Sequence, residues 1–365
     1  MVVALAPVFA GLSSCSSDDG AAPAKEPAPA PEIAHNSANP LSGHRLYVDP
    51  QSPPALQAAR WRSDGRKQDA AAMQLLASRP TAVWFADEGD IASRVRAAAQ
   101  SAAQRGRTAL LVAYHVPGRD CGSYSAGGSG SAAAYRAWVR AFARGIGTRR
   151  AIVILEPDAI PQAVEETCLS AERKAERYAL LRYGVKTLGA RSNVAVYLDA
   201  GNPGWIRPAA RLVGPLRASG VRAADGFALN VSNFFRTGTA ISYGRSLSRR
   251  LGGAHFVIDT SRNGKGAWTP PPGKYSGDPE TWCNPPGRGM GPRPTSGTGV
   301  PLVDAYLYVK TIGESDGSCT RNTGSTIDPE YGIVDPAAGA WWPEQAHELA
   351  RNAEPRLTLN HWSGL

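Results

Sequence analysis

The stretch Ala151-Ile152-Val153-Ile154-Leu155-Glu156-Pro157-Asp158 runs five apolar residues straight into an acidic segment broken by a proline. A strand open to water on one face alternates apolar and polar side chains. A run that is apolar at every position therefore suits a strand covered on both faces, as in a parallel sheet. Similar runs recur at 82–85, 109–114, 194–198, 226–231, 255–258 and 305–309. Amphipathic stretches lie between them. In one, Tyr135, Trp138, Val139, Phe142 and Ile146 form one helical stripe, and Arg136, Arg140 and Arg144 mark the other side. Repeated strand–helix units in a chain of 365 residues predict one α/β domain, either a TIM-type barrel or an open doubly wound sheet. No segment recurs at a fixed period, which excludes solenoids and propellers.

Polar residues gather just beyond these strands. Asp87 and Glu88 follow the first, Arg119 and Asp120 the second, and Glu156 and Asp158 the third. Asp199 follows the fourth, Asn230 and Asn233 the fifth, Asp259 and Arg262 the sixth, and Lys310, Glu314 and Asp316 the seventh. In parallel α/β folds the carboxyl ends of the strands converge on one face, where ligands bind. A lone carboxylate after a strand can simply cap the next helix. Capping does not account for the accompanying Arg119, Lys310, Trp205 and Trp282. No P-loop or GxGxxG helix start is present, and no histidines pair at i, i+4. Carboxylates remain as the acid and base, the pattern of glycoside hydrolysis.

The net charge of +9 comes from arginines scattered singly through helix-like stretches, so it reads as solvated helix faces, with no nucleic-acid partner. No apolar run reaches the roughly 20 residues that span a bilayer. Residues 1–15 read as a signal peptide, in which Leu12-Ser13-Ser14-Cys15 resembles a bacterial lipobox with Cys15 as the lipidated residue. No Lys or Arg precedes Lys25, which keeps open an ordinary cleaved signal with a chance cysteine. Residues 16–44 read as an Ala/Pro/Ser-rich flexible tether and 45–365 as the catalytic domain. Any membrane contact would then run through Cys15. The remaining Cys121, Cys168, Cys283 and Cys319 favour two disulfides in an exported chain, with three connectivities possible. Sequence order favours Cys121–Cys168 and Cys283–Cys319. No CxxC pair or Cys/His cluster supports a metal site, and no cofactor is expected.

Six segments in order resemble glycoside hydrolase family 6, the inverting endoglucanases and cellobiohydrolases. They are Leu111 through Cys121, Ile154 through Asp158, Tyr197 through Gly201, Asn230 through Asn233, Trp282-Cys283-Asn284, and Lys310 through Gly317, with four cysteines in matching places. The resemblance covers the chain from about residue 46 to its end. It implies an α/β fold of the family's kind, a distorted, incompletely closed TIM-like barrel of parallel strands. It also implies a β-1,4-glucan substrate, bound by a single chain acting as a monomer.

Carried onto matching positions, the resemblance makes Asp158 the general acid and Asp120 the neighbour that raises its pKa. Two nearby carboxylates cannot both ionise cheaply, so one stays protonated and can donate. Asp316 matches the proposed base, with Arg119 as its expected ion-pair partner. Tyr114 matches the tyrosine that presses on the sugar at the cleavage point. Asp199, Asn202, Asn230, Lys310 and Glu314 match sugar-binding positions, and Trp84, Trp205 and Trp282 match aromatic contacts, since indole faces suit the C–H faces of glucose. Two positions depart from the pattern. Asn202 stands where many members have histidine, which puts the acceptor-side contacts in doubt, and Ser315 stands where some fungal members have cysteine. Only two residues separate Asp316 from Cys319, which favours an open cleft and endo action. The alternatives are exo-acting cellobiohydrolysis, hydrolysis of another envelope or biofilm glycan, and non-catalytic polysaccharide binding.

Overall fold

The computed structural model describes residues 38–165 and 168–357. The signal, the possible lipidation at Cys15 and most of the tether lie outside them. Among the described residues, seven strands follow one another across a single sheet in chain order. They are β1 (Val83–Phe85), β2 (Ala109–Ala113), β3 (Ala151–Leu155), β4 (Val194–Asp199), β5 (Gly226–Leu229), β6 (His255–Asp259) and β7 (Val303–Leu307). Every neighbouring pair is parallel. The two edges curl towards each other. Ala82 N donates to Tyr308 O at 3.0 Å and the Trp84 indole donates to Val309 O at 2.7 Å, yet β1 and β7 do not join in the ladder. The result is an α/β fold, a distorted and incompletely closed TIM-like barrel.

Side chains of each strand divide between two apolar layers. Leu111, Val153, Leu155 and Val196 face the surrounding helices, while Leu110, Val112, Ile152, Ile154 and Tyr197 fill the interior. That alternation makes both faces apolar and accounts for the unbroken hydrophobic runs. The helix Ala132–Ile146 buries the stripe Tyr135, Trp138, Val139, Phe142 and Ile146, each worth roughly 1.5–3 kcal/mol on burial. Ser131 caps its start by accepting from Ala134 N at 3.1 Å, and Gly147 at φ +63° ends it. A Cβ at Gly145 would come within 2.7 Å of Ala92 O and Val95 Cβ, so only glycine lets this helix approach Ile91–Ala103 so closely.

The folded part starts ahead of the boundary at residue 45. Leu41 is 1% exposed and joins the barrel interior with Leu46, and Asn39 Nδ2 donates to Asp304 O at 2.8 Å. A hydrophobic residue flanked by Pro40 and Ser42 left little signal in a segment whose composition matches the tether. Both expected disulfides are present, with Cα separations of 5.8 Å for Cys121–Cys168 and 5.9 Å for Cys283–Cys319. Each fastens a loop at the carboxyl end of the strands.

Candidate active site

A cleft of about 710 Å³ opens at that end of the barrel. Trp84, Tyr114, Asp120, Asp158, Asn202, Trp205, Trp282, Lys310 and Asp316 line it. Arg119, Asp199, Asn230 and Glu314 do not.

Asp158 follows β3 after a tight turn, with its backbone in the left-handed region at φ +68°. Non-glycine residues rarely occupy that region, and they persist there when surrounding contacts over-determine them. Here the contact is Asp199 Oδ2, which accepts from Asp158 N at 2.9 Å and from Gly201 N at 3.1 Å. Asp199 is thus a buried bracket beneath Asp158. Burial pushes its carboxyl up to about 7, against the pull of the amides it accepts from. Asp158 itself is pushed well above the ordinary carboxylate range. Burial is the main cause, the charges of Asp199 and Asp120 add to it, and Lys310 opposes it. Asp120, at φ +57°, accepts from Ser125 N at 2.7 Å and from Gln162 Nε2 at 3.1 Å, and burial raises it as well. Tyr114 meets Trp84 edge to face with ring centroids 5.4 Å apart, so the two aromatics form one corner of the cleft.

Asp316 has the opposite electrostatics. Burial works against its ionised form, but Arg262 and Lys310 outweigh burial and hold it below the usual carboxylate range. Arg262 Nη1 lies 2.7 Å from Oδ2 and Lys310 Nζ 3.2 Å from Oδ1. Asn284 adds a reciprocal pair, its N donating to Asp316 Oδ2 at 3.0 Å and its Oδ1 accepting from Asp316 N at 2.8 Å. Arg262 is therefore the partner of Asp316, and the expected Arg119–Asp316 pair is corrected. Arg119 instead donates to four backbone carbonyls, Ala86 O and Tyr114 O at 2.6 Å, Ser125 O at 2.8 Å and Ala126 O at 3.2 Å. Its guanidinium also lies 4.6 Å over the Tyr114 ring. It ties the loop together from inside.

Asn230 is corrected in the same way. Its side chain is fully buried, donating to Phe235 O at 3.2 Å and Asp259 O at 3.0 Å and accepting from Phe235 N at 3.1 Å. It shapes the loop that carries Phe234 and Phe235 into the cleft. Glu314, raised by burial, sits behind the cleft in a short antiparallel bridge with Trp341. Asn202 lines the cleft while its Oδ1 accepts from Gly204 N at 3.0 Å, and a Cβ on Gly204 would strike the Phe235 ring at 2.1 Å. Trp282 is 41% exposed at the cleft.

Two carboxylates that hold the site together were not singled out as site residues from the sequence. Glu156 accepts from His115 N at 3.0 and 2.8 Å and from Val116 N at 2.9 Å, anchoring the loop after β2 to the end of β3. Asp259 accepts from Ser232 N at 2.9 Å, Ser261 N at 2.9 Å, Val309 N at 3.2 Å and Lys310 N at 3.0 Å, which gathers the ends of β5, β6 and β7 around one buried anion. Tyr124, Gln162, Phe234 and Phe235 also line the cleft.

The family model described as Glycosyl hydrolases family 6 matches residues 41–353. Endoglucanase A of Thermobispora bispora is 39% identical over 316 residues, covering 85% of this chain, which spans 62% of that protein's length. A probable 1,4-beta-D-glucan cellobiohydrolase C of Aspergillus fumigatus is 30% identical, covering 87% of this chain and 79% of its own. Among solved structures, the endoglucanase Cel6 of Mycobacterium tuberculosis, bound to methyl-cellobiosyl-4-deoxy-4-thio-β-D-cellobioside, superimposes with a TM-score of 0.76 at 38% identity. That match covers 86% of this chain and 99% of that one.

Proposed function

The chain belongs to glycoside hydrolase family 6, and on that premise we propose that it is an exported endo-β-1,4-glucanase that cleaves with inversion of the anomeric centre. One observation supports the mechanism: the cleft sets a carboxyl raised by burial and by neighbouring carboxylates across from a carboxylate lowered by an arginine and a lysine. Asp158, raised by burial and by Asp199 and Asp120, is the general acid that protonates the departing glycosidic oxygen. Asp120 stabilises the positive charge that grows at the anomeric carbon. Asp316, kept ionised by Arg262 and Lys310, is the base that takes the proton of the attacking water. Tyr114 presses on the sugar at the cleavage point, and Trp205 and Trp282 stack against its neighbours. Lys310 and Asn202 meet hydroxyl groups, while Asp199 and Glu314 act from behind the cleft wall.

Endo action is supported by the short Asp316–Cys319 connection and by the endoglucanase names of the bacterial relatives. Cellobiohydrolase among the fungal relatives keeps exo action as the second reading. Export is supported by the two disulfides, since such bonds persist in oxidising compartments. Incubation with a panel of β-glucans, with product sizing and proton NMR of fresh hydrolysate, tests the proposal. A broad ladder of products released as the α-anomer is expected. Initial β-anomer would overturn inversion, cellobiose alone would overturn endo action, and no product from any β-1,4-glucan would overturn the function.

A further inference from the structure

Asp120 and Asp316 come from different walls of the site, one on the loop after β2 and the other on the segment after β7. Tyr124, four residues beyond Asp120, reaches from the first wall to the second. Its hydroxyl donates to Glu280 Oε1 at 3.0 Å. Its ring lies against Gly317, the residue after Asp316. A Cβ there would come within 2.6 Å of Tyr124 Cγ, and Gly317 stands at φ +140°. The ring thus occupies the space a side chain at 317 would take. Trp282 flanks the same ring, with centroids 6.0 Å apart.

The far end of this contact is fixed. Glu280 Oε2 accepts from Thr320 N at 2.9 Å and Arg321 N at 2.6 Å, and Arg321 Nη1 donates back to Glu280 O at 2.9 Å. The near end is fixed to Asp120. Ser123 N donates to Asp120 O at 2.8 Å, Ser125 N donates to Asp120 Oδ2 at 2.7 Å, and Arg119 Nε donates to Ser125 O at 2.8 Å. A displacement of Tyr124 is therefore passed to the Asp120 carboxylate through a closed turn.

We infer that Tyr124 is a positioning residue: clasped by Glu280 and seated on Gly317, it holds the Asp120 loop against the wall that carries Asp316. The role rests on the mechanism proposed above, because the place of Asp120 matters to catalysis through the acid Asp158.

The test is Tyr124→Phe, which keeps the ring on Gly317 and removes the hydroxyl. Release of the loop takes the Asp120 charge away from Asp158. The other charges facing Asp158, from Asp199, Lys310 and Asp316, stay where they are. On soluble β-1,4-glucan kcat should fall roughly 3- to 30-fold with KM little changed, since small misplacements of a catalytic group cost about that much or more. The basic limb of the pH profile should move to lower pH, as in Asp120→Ala, and should move no further in the double variant. Amide exchange across 119–128 should quicken while the melting temperature holds. Wild-type kcat together with unchanged exchange in Tyr124→Phe would overturn the inference, as would pH shifts that add fully in the double variant. If the wild-type enzyme cleaves no β-1,4-glucan, the function fails, and the exchange measurement still decides whether the clasp exists.

Discussion

Replacing Lys310 with methionine should move both limbs of the pH–rate profile upward. Lys310 Nζ stands 3.2 Å from Asp316 Oδ1, between side chains only 11% and 7% exposed. Two unit charges at that distance attract by about 1.3 kcal/mol in bulk water and by about 5 kcal/mol at an effective dielectric of about 20. At about 1.4 kcal/mol per pH unit, losing the ammonium raises Asp316 by roughly one to four units. The shift should fall near the lower end, because Arg262 at 2.7 Å and Asn284 N at 3.0 Å remain on the other oxygen.

The sign is the same at the acid. Lys310 lowers Asp158, so its removal lets that carboxyl keep its proton to a higher pH. The base must be ionised and the acid protonated, so the acidic limb reports Asp316 and the basic limb reports Asp158. Methionine keeps most of the stem and volume, and the melting temperature should be close to that of the parent. The assay is kcat/KM on soluble β-1,4-glucan from about pH 3 to about pH 10 at constant ionic strength. The height of the curve will also fall, because Lys310 lines the cleft, so its position along the pH axis is the measurement. A curve that keeps its position, or limbs that move in opposite directions, would refute the assignment of Asp316 and Asp158 to the two limbs.

Asp158→Asn should lower hydrolysis of unactivated glucan by about 10²–10⁴-fold while calorimetry still detects cello-oligosaccharide binding, since the amide keeps the shape and cannot donate the proton. Near-parental activity would remove Asp158 from the acid role. Asp120→Ala takes away a negative charge that raises Asp158, so the basic limb should move to lower pH. A stationary limb would mean that burial and Asp199 alone set the acid. Arg321→Met should destabilise by about 3–5 kcal/mol, because Arg321 and Asp328 pair at 2.7 Å with neither side chain exposed and the lone carboxylate would stay buried. An unchanged denaturant midpoint would contradict that.

The strands were legible because burial on both faces writes itself into composition. All five residues of β2 and of β3 are buried, and the runs read from the sequence match those strands to within one residue. The run at 305–309 was offset from β7, Val303–Leu307, because Asp304 interrupts the apolar pattern inside the strand. That aspartate is buried between two partners, His255 Nδ1 at 2.6 Å and the Tyr197 hydroxyl at 2.8 Å. Neither pairing is visible before the strands are side by side. Charge pairing was the least legible feature. The resemblance made Arg119 the ion-pair partner of Asp316, yet a guanidinium with five donors can be satisfied by carbonyls alone, and here four carbonyls surround it.

The buried carboxylates whose bracing role the sequence did not show share one physical reason, and it bears on how the acid can work. Glu156, Asp199 and Asp259 do not meet substrate. Each accepts from backbone amides of separate segments, and the positions of those amides exist only once the barrel has closed. A buried carboxyl that accepts from backbone amides can be held without a neighbouring cation. These segments are therefore fastened by carboxylates beneath the cleft, while Arg119 and Arg177 fasten the loop after β2 through backbone carbonyls. A cation in place of Asp199 would favour the ionised form of Asp158 and work against the proton it has to deliver. The left-handed backbones at Glu156, Asp158 and Ser232 fall where these brackets act, so the strained turns and the raised carboxyl of Asp158 go with the same buried carboxylates.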